Sequence, residues 1–545
     1  MYISIMFEAK SQETILFVCS FPSGHSTLLK YKIISYKYKT YFINLIFITV
    51  YLYIYLYIKY YYNFMESENL NKNSIPLRRF ITLTMSGIFV YGFAISVAGG
   101  YIDYAGGAAI YVGILGLVVV LLMSIPIMEY TRLAPFAGGY YGLAEMGFGK
   151  GVGKFTAILN YAYYSFLQVG NGLITAEIML VAIYIVYGIL LPFILVPIIA
   201  LITVFVMYIG AKYQVRNLAR IIEISVWAQV AVMLAAAIYV IFTTHNNSIA
   251  YLNPSSSPTG FAGIGLGAAV SGFLTFEAYG NGLFFSEEGI KPKKVIWRSI
   301  IVGVLLATVI GSVSIYSELA AYPNITALSA SPLPLITSYL SFIGKIGVLF
   351  LAFIYVPFYF SSNIIGASGA QARLLYSLAR DNFIKSKWLS KLSAAKTPAN
   401  AALVNFIIAA VMTVIVLAVM IPVYGYNETA LFYVAFAPYT AATILWYFHH
   451  GIPDVSLYFY YRRSGIKVSF MRKLFASILA PAFGLGIFAY AFYDGVISNF
   501  VEPYFAFVLI AIIIVGFSAG YVIYKGYTNS LGSSLIERMM NETEK

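Results

Sequence analysis

Twelve hydrophobic runs, each long enough to cross a bilayer, follow one another from Arg79 toward the C-terminus. A membrane-spanning helix needs about 20 mainly apolar residues, and in lipid its backbone polar groups must bond within the segment. Only 10% of the residues are charged, compared with about 25% in soluble domains. The runs therefore predict an all-α polytopic membrane protein with 12 transmembrane helices. The predicted spans, numbered 1 to 12, cover residues 80–106, 108–131, 154–187, 190–210, 218–243, 261–286, 297–321, 346–377, 399–422, 429–450, 471–493 and 502–525.

Lysine and arginine are concentrated in every second loop, and this asymmetry predicts the orientation of the chain. In polytopic proteins basic residues mark the cytoplasmic loops, which accounts for the formal net charge of +13 without nucleic acid as a partner. Lys291, Lys293 and Lys294 lie between spans 6 and 7, so we expect that loop in the cytoplasm. An even number of spans then places both termini there, in a multi-pass protein of the plasma membrane.

The first 64 residues differ from the rest of the chain in being rich in tyrosine, isoleucine, lysine and phenylalanine. Residues 41–57 have the length and apolarity of an additional span. Met65 opens a hydrophilic leader, 65–79, of the kind that precedes a first span. Two interpretations stay open: residues 1–64 add a span, or translation begins at Met65. Mass spectrometry of the native N-terminus distinguishes them.

Span 6 is interrupted by its own sequence. Its apolar first part is followed by residues 275–282, which read Thr-Phe-Glu-Ala-Tyr-Gly-Asn-Gly. A carboxylate and two glycines are costly there, because lipid offers no partner for an ionised Glu277 or for backbone groups freed by unwinding. Broken helices near the membrane midplane mark the substrate sites of many secondary transporters. The interruption therefore predicts a binding cavity.

Span 1 carries a similar interruption, with Gly99 and Gly100 followed by Gly106 and Gly107. Glycine also permits close packing of membrane helices, but two glycine-interrupted spans five apart favour a 5+5 inverted repeat with broken helices 1 and 6. The chain after the leader is then divided into a first repeat, 80–243, a second repeat, 261–450, spans 11 and 12 at 471–525, and a cytoplasmic tail, 526–545.

Five motifs, in order and at corresponding spans, resemble those of the amino acid–polyamine–organocation superfamily of permeases. They lie at residues 105–109 (Ala-Gly-Gly-Ala-Ala), 129–140 (Glu-Tyr-Thr-Arg-Leu-Ala-Pro-Phe-Ala-Gly-Gly-Tyr), 210–220, 287–298 and 373–381, the last followed by Thr397-Pro398. The resemblance covers residues 78–398. It implies a substrate held between broken helices 1 and 6, against spans 3 and 8. Free backbone N–H groups of span 1 would receive a carboxylate, and free carbonyls of span 6 would receive an ammonium group.

Three positions depart from the superfamily pattern. Residues 86–89 have the amino acids that the superfamily pattern expects at the break in span 1. They begin only eight residues after Arg78, which is too close to the membrane surface for a break at the midplane. We therefore place the break deeper, at residues 97–100. In span 6, Gly280 occupies the usual acidic position and Glu277 lies just upstream. Gln229 replaces a span 5 lysine that stands in for sodium in some proton-coupled members. The predicted substrate-binding residues are Val97, Ala98, Gly99, Gly100, Gln168, Asn171, Thr275, Phe276, Ala278, Tyr279 and Gly280.

Glu277 is the strongest single candidate. An intramembrane carboxylate is expected to be protonated or paired with a cation. Three roles stay open: a proton-coupling group, a partner for a cationic substrate or sodium ion, and a structural, hydrogen-bonded glutamate. Ser361 and Ser362 of span 8 are further coupling candidates, because their hydroxyls would line a sodium site. Such hydroxyls also commonly bond back to their own helix.

Span 3 carries polar side chains at spacings of four, four, three and four residues, which places them on one helical face. They are Asn160, Tyr164, Gln168, Asn171 and Thr175. The face is expected to point into the bundle, where it would either contact substrate or join helices by hydrogen bonds.

Other charged residues are expected to have structural roles. Glu177 and Glu318 are predicted to be solvated near the outer interface. The loop residues predicted at an inner gate are Glu287, Glu288, Arg373 and Arg380.

The sequence lacks the residues that catalysis or metal binding would need. Cys19 is the only cysteine, which excludes disulfides and thiolate metal sites, and the four histidines show no metal-ligand spacing. Residues 22–26 (Pro-Ser-Gly-His-Ser) match one motif of a membrane lipid-phosphatase family, but no Arg-Pro phosphate clamp accompanies it. No Gly-x4-Gly-Lys-Ser/Thr loop supports ATP-driven transport. We therefore expect neither an enzyme nor a cofactor, only a proton or sodium as coupling ion.

Together these features predict a secondary active permease for amino acids or related amines. We expect a proton symporter in which helices 1 and 6 rock against spans 3, 4, 8 and 9, with a small-molecule substrate and the lipid bilayer as partners. Two alternatives stay open: an exchanger without ion coupling, and a non-transporting sensor or scaffold with the permease fold.

Overall fold

The computed structural model describes residues 2–7, 14–20, 26–32, 70–88, 95, 97–133, 138–359, 363, 365–464, 467–493 and 502–526. The chain forms two compact units, Met1–Met65 and Glu66–Lys545. In the first unit, β1 (Tyr2–Phe7) pairs antiparallel with β2 (Thr14–Ser20), and β2 with β3 (Ser26–Lys32). Their β-branched and aromatic residues favour strands, which the sequence analysis did not anticipate. The possible span at 41–57 lies outside the described residues.

The second unit is helical in its described residues, as the hydrophobic runs predict. Its helices are α1 (Leu77–Gly87), α2 (Ala98–Ala105), α3 (Ala109–Leu133), α4 (Tyr140–Phe148), α5 (Lys150–Tyr187), α6 (Leu195–Lys212), α7 (Val215–Thr243), α8 (Phe261–Gly267), α9 (Phe273–Phe276), α10 (Pro292–Ala321), α11 (Ile325–Ser329), α12 (Pro334–Tyr359), α13 (Ile365–Arg380), α14 (Ala399–Tyr424), α15 (Glu428–Arg463), α16 (Phe470–Leu474), α17 (Ala480–Phe492) and α18 (Glu502–Tyr524).

Nine helices in the described part of the chain are long and apolar enough to cross a membrane. They correspond to predicted spans 2, 3, 5 and 7 to 12. The other three predicted spans are interrupted or short: span 1 is divided between α1 and α2, span 6 consists of several short pieces, and span 4 is the 18-residue α6. Span 10 extends beyond its predicted end at residue 450, because α15 continues through Pro453 to Arg463.

The core of the second unit is centred on α5, which packs against α4, α6 and α15. Of the 18-residue apolar window in α5, 78% is buried inside the protein, compared with 28% for α14 and 22% for α18. The outer helices instead expose apolar side chains such as Val419 and Phe517. Exposed apolar faces of this kind suit contact with lipid, and α5 is therefore an internal helix surrounded by others.

The break in span 6 lies where the sequence predicts it. A π-helical turn, Ala268–Gly272, separates α8 from α9, and α9 ends at Phe276. Ala278 leaves helical geometry with φ −97° and ψ 21°, and a ten-residue 3₁₀-helix, Tyr279–Glu288, follows. We call Tyr279–Glu288 the inner segment of span 6.

The break in span 1 lies elsewhere than predicted. The helix α1 ends at Gly87, and Ile88 is extended, with φ −97° and ψ 127°. Residues 98–100, in contrast, are the first turn of α2, and Val97 before them has a helical backbone. The prediction of an unwound segment at 97–100 is therefore wrong, and the residues that match the superfamily pattern, 86–88, mark the end of the first helix.

Candidate functional site

The two breaks meet at Gly87 and Ala278. A Cβ atom on Gly87 would overlap the Ala278 carbonyl oxygen, so only glycine permits the two chains to approach this closely. Ile88 of span 1 and Thr275 and Phe276 of span 6 line a small cavity together with residues of α10. The cavity has room for about one water molecule. The junction of the two broken spans thus borders a small cavity.

The predicted site residues of span 1 are not among those that line this cavity. Gly100 approaches Ser271 of the π-helical turn so closely that a Cβ atom would overlap the Ser271 hydroxyl. Gly99 faces Pro334 at the start of α12, and Val97 and Ala98 are buried. Gly100 thus lets the first part of span 6 pack closely against α2, and contact of these four residues with substrate stays a prediction.

Glu277 lies at the break in span 6 and is 1% exposed. The Thr443 hydroxyl donates a hydrogen bond to Glu277 Oε1. The indole N–H of Trp446 donates to the backbone carbonyl of Glu277 at 2.7 Å, which satisfies an acceptor freed by the end of α9. Glu277 Oε2 has no partner among the described residues. The carboxyl group is therefore held on one side and open to a proton or a cationic group on the other.

The same face of α15 bonds to the start of the inner segment. The Tyr279 hydroxyl lies 2.5 Å from His450 Nε2, and His450 Nδ1 lies 3.1 Å from Asp454 Oδ2. His450 and Asp454 are both 0% exposed. Together with Thr443 and Trp446 these residues are spaced three, four and four apart, which is one face of a helix. This set is not among the predicted site residues, although the spacing Trp446-x3-His450-x3-Asp454 indicates a polar helical face.

Aromatic rings enclose the His450 imidazole. The Trp446 ring lies 4.4 Å from it, centroid to centroid, and the Tyr140 ring of α4 lies 5.1 Å from it. A Cβ atom on Gly280 would overlap the Tyr140 hydroxyl. Gly280, at the position where the superfamily carries an acidic residue, therefore makes room for a tyrosine instead.

The polar face of span 3 is buried and joins α5 to three other parts of the bundle. The Tyr164 hydroxyl donates to Asn281 Oδ1 at 2.8 Å, Gln168 Nε2 donates to Gln371 Oε1 at 3.4 Å, and the Tyr439 hydroxyl donates to Asn171 Oδ1 at 2.6 Å. Thr175 instead bonds back to its own helix at the Asn171 carbonyl, and Asn160 is also buried. These contacts favour the helix-joining interpretation, and substrate contact by Gln168 and Asn171 stays a prediction.

The coupling candidates of span 8 divide into described and undescribed residues. Ser361 and Ser362 lie outside the described residues, so their sodium-binding role stays a prediction. The neighbouring Asn363 is buried, and neither of its amide atoms has a partner among the described residues. Gln229 of α7 is also buried and donates to the Ser225 carbonyl at 3.4 Å.

Ion pairs hold the far end of the inner segment. Arg373 of α13 contacts Glu288 through two nitrogens at 2.6 and 3.0 Å, with both side chains at most 1% exposed. Arg380 makes the same two-point contact with Glu287, at 2.9 and 3.0 Å. The backbone N–H of Ser74, ahead of α1, donates to the Glu288 carbonyl at 2.8 Å. The residues predicted at an inner gate therefore pair with one another and tie spans 1, 6 and 8 together.

The prediction for Glu177 and Glu318 is wrong, because neither is solvated. Glu177 is 1% exposed and Glu318 is 0% exposed. The Ser314 hydroxyl donates to Glu318 Oε1 at 3.2 Å, and neither oxygen of Glu177 has a partner among the described residues. Both carboxyl groups point into the bundle, which hydropathy alone cannot distinguish from the outer interface. Within the described residues, no group of three His, Cys, Asp or Glu side chains is arranged to hold a metal ion.

Comparisons with known proteins agree with this architecture. The crystal structure of MhsT in complex with L-phenylalanine superposes with a TM-score of 0.54, covering 78% of this chain and 100% of the MhsT chain, at 14% sequence identity. At that identity the likeness shows the fold alone. No curated protein sequence matches the chain. The family profile described as amino acid permease matches residues 75–518, most of the second unit. The chain therefore belongs to the amino acid permease family and is an integral membrane protein that acts as a secondary transporter rather than an enzyme.

Proposed function

We propose that this protein carries amino acids or related amines across the plasma membrane, driven by protons, by alternating access around broken helices 1 and 6. The observation that carries the proposal is the meeting of the two breaks at Gly87 and Ala278 beside Glu277. In this view spans 1–5 and 6–10 are inverted halves of a twelve-span protein with both termini in the cytoplasm.

The chemistry of the junction suits a zwitterion. The end of α9 and the extended Ile88 leave backbone groups outside regular helix hydrogen bonding, and such groups bind the charged ends of amino acids in broken-helix transporters. Asn281 Nδ2 lies beside Gly87 and has no partner among the described residues. It is available to donate to a carboxylate. MhsT, which shares the fold, holds L-phenylalanine, and this amino acid is therefore a sensible first probe.

Glu277 is the proposed coupling group. Its Oε1 is held by Thr443 while its Oε2 has no described partner. A buried carboxyl group with one open oxygen binds a proton without further rearrangement. Its position on the moving part of span 6 would link proton binding to the opening of the cavity.

Uptake into proteoliposomes tests both parts of the proposal. The purified full-length protein is reconstituted and offered each of the twenty amino acids, L-phenylalanine first, with and without an inward proton gradient. We expect accumulation of at least one amino acid, and we expect the gradient to increase it. Glu277→Gln should abolish the increase, because a glutamine amide does not take up a proton in this pH range.

Glu318→Gln is the matched control. Glu318 is equally buried and also accepts one hydroxyl hydrogen bond while its Oε2 has no described partner, but it lies on α10, away from the break. We expect gradient-driven uptake in this variant. Uptake that responds to the gradient in Glu277→Gln as it does in the unmodified protein would remove Glu277 from the coupling step, and the absence of uptake for every amino acid would contradict the permease proposal.

A further inference from the structure

The hydrogen-bonded row Tyr279–His450–Asp454 has no part in the proposed function so far, and its contacts suit a proton carrier. His450 uses both ring nitrogens: Nδ1 faces Asp454 Oδ2 at 3.1 Å and Nε2 faces the Tyr279 hydroxyl at 2.5 Å. Asp454 Oδ1 has no partner among the described residues. With a carboxylate on one side, Nδ1 carries the proton and Nε2 accepts from the Tyr279 hydroxyl.

The groups that face this row come from several elements. His449 lies beside His450 on α15, Tyr140 contacts both imidazoles from α4, and the Tyr163 ring of α5 lies 4.9 Å from His449. On α3, Tyr130 bonds to Ser456, two residues after Asp454 in α15. Glu277 connects to the same helix through Thr443 and Trp446. In the described part of the chain no arginine or lysine forms an ion pair with His450 or Asp454, so a proton is the cation that would balance the carboxylate.

We propose that the His450–Asp454 pair takes up and releases one proton during transport, in addition to Glu277, and that Tyr279 transmits this change to the inner segment of span 6. This rests on the proposed proton-driven function. The unprotonated pair carries one negative charge inside the bundle, and one proton makes it neutral, which is favourable where the surroundings cannot solvate charge. The proton belongs to the pair, since strongly interacting groups titrate together.

Proton uptake reverses one hydrogen bond. When Nε2 gains the proton it becomes a donor to the Tyr279 oxygen, so the Tyr279 O–H must turn to another acceptor. The acceptor that we assign is the Ser124 hydroxyl of α3, which donates its own proton to the Val120 carbonyl at 2.6 Å and keeps its oxygen lone pairs for accepting. Because Tyr279 is the first residue of the inner segment, the reversal changes which helix holds the beginning of that segment. Release of the proton from Nε2 to water restores the first arrangement.

Trp446 provides a readout that needs no substrate. Its ring packs against His450, with the ring centroids 4.4 Å apart, and its centroid lies 6.5 Å from that of His449. A protonated imidazole in contact with an indole quenches its fluorescence. The full chain has four tryptophans, so a variant with Trp227, Trp297 and Trp388 changed to phenylalanine reports on Trp446 alone. We expect its emission to fall as the pH is lowered from about 9 to about 5.

Substitutions then assign the change in emission. His450→Gln should abolish it, and His449→Gln, the matched control on the same helix, should preserve it. Asp454→Asn removes the balancing charge, so protonation of His450 is no longer stabilised and the quenching at low pH should become weaker. An emission that does not depend on pH, or a pH dependence that survives His450→Gln, would overturn the proposal. Tyr279→Phe leaves both members of the pair in place and should keep the quenching, and Asp454→Asn serves as the test if the His450 variant does not fold.

Transport distinguishes coupling from a structural role. In proteoliposomes with an amino acid that the protein accumulates, His450→Gln should lose the accumulation driven by the proton gradient and keep the exchange of labelled for unlabelled amino acid, which needs no net proton movement. Equal loss of both activities would contradict the coupling role. If no amino acid is carried at all, the proposed function fails, whereas proton binding by the pair is still decided by the Trp446 titration.

Discussion

The two broken spans are held by different means. At the break in span 1, Gly87 permits direct contact with the backbone of Ala278 because it has no side chain. At the break in span 6, side chains of α15 provide hydrogen bonds, from Thr443 to the Glu277 carboxyl group and from Trp446 to its carbonyl. One break therefore depends on shape and the other on polar chemistry. The second arrangement can respond to a proton or a ligand, whereas the first provides a fixed contact.

The largest expected effect comes from the charges at the far end of the inner segment. Arg373→Met leaves Glu288 buried without its partner, and breaking a buried ion pair costs about 3–5 kcal/mol. We expect a large drop in the midpoint of thermal unfolding of the detergent-solubilised protein. If the loss were small, the inner segment would depend on packing more than on charge.

Arg78→Met is the control for this prediction. Arg78 pairs with Glu223 at 3.2 Å, but its side chain is 72% exposed, and exposed pairs contribute about 0–1 kcal/mol. The double change Arg373→Met with Glu288→Gln should recover part of the lost stability, because it removes the unpaired charge.

An intermediate effect is expected at the break in span 1. Gly87→Ala places a methyl group against the Ala278 carbonyl and the Asn281 amide, and overpacking of this kind costs about 1–3 kcal/mol. Thermal unfolding measures the loss, and amino acid uptake should fall with it. Gly265→Ala in α8 is the control, because a Cβ atom there meets open space and alanine favours a helix by about 1 kcal/mol. Equal stability of the two variants would show that the breaks need not touch.

The smallest effect is expected at Thr443. Thr443→Val keeps the shape of the side chain and removes the hydroxyl that bonds to Glu277 Oε1. We expect a loss of roughly 1 kcal/mol in unfolding free energy. We also expect the pH dependence of uptake to change, because the lost hydroxyl contacts the proposed coupling group, Glu277. Thr413→Val is the matched control, since that buried hydroxyl bonds back to the Ala409 carbonyl of its own helix. If the two variants had identical pH profiles of uptake, Glu277 would not be the coupling group.

The difference between the breaks also explains what the sequence could reveal. The break in span 6 was predictable because Glu277 and its glycines are costly in an apolar run, and that cost is visible in the residues themselves. The break in span 1 was misplaced because Gly87 is required by a contact with Ala278, which is distant in sequence. The depth of residues 97–100 along the span led to the wrong position for the break. The amino acids at residues 86–89, which match the superfamily pattern, indicate its position better.

The polar face of α15 was missed for a related reason. The predicted span 10 ends at residue 450, whereas the helix continues through Pro453 and Asp454 to Arg463. Proline is tolerated inside membrane-protein helices where neighbouring groups satisfy the freed carbonyl. Once the helix is extended, Trp446, His450 and Asp454 share a face that points at Tyr279. The buried positions of Glu177 and Glu318 likewise depend on neighbouring helices, which a hydropathy profile does not include.

The inner segment is longer as a 3₁₀-helix than the same residues would be as an α-helix. A 3₁₀-helix rises about 2.0 Å per residue, so the ten residues from Tyr279 to Glu288 extend over about 20 Å. Wound as an α-helix, at about 1.5 Å per residue, the same ten residues would extend over about 15 Å. Tightening or relaxing this coil would move Glu288 relative to Tyr279 by about 5 Å, nearly one helical turn. A change between the two helical forms would therefore alter the distance between His450, which bonds to Tyr279, and the arginines of α13, which bond to Glu287 and Glu288.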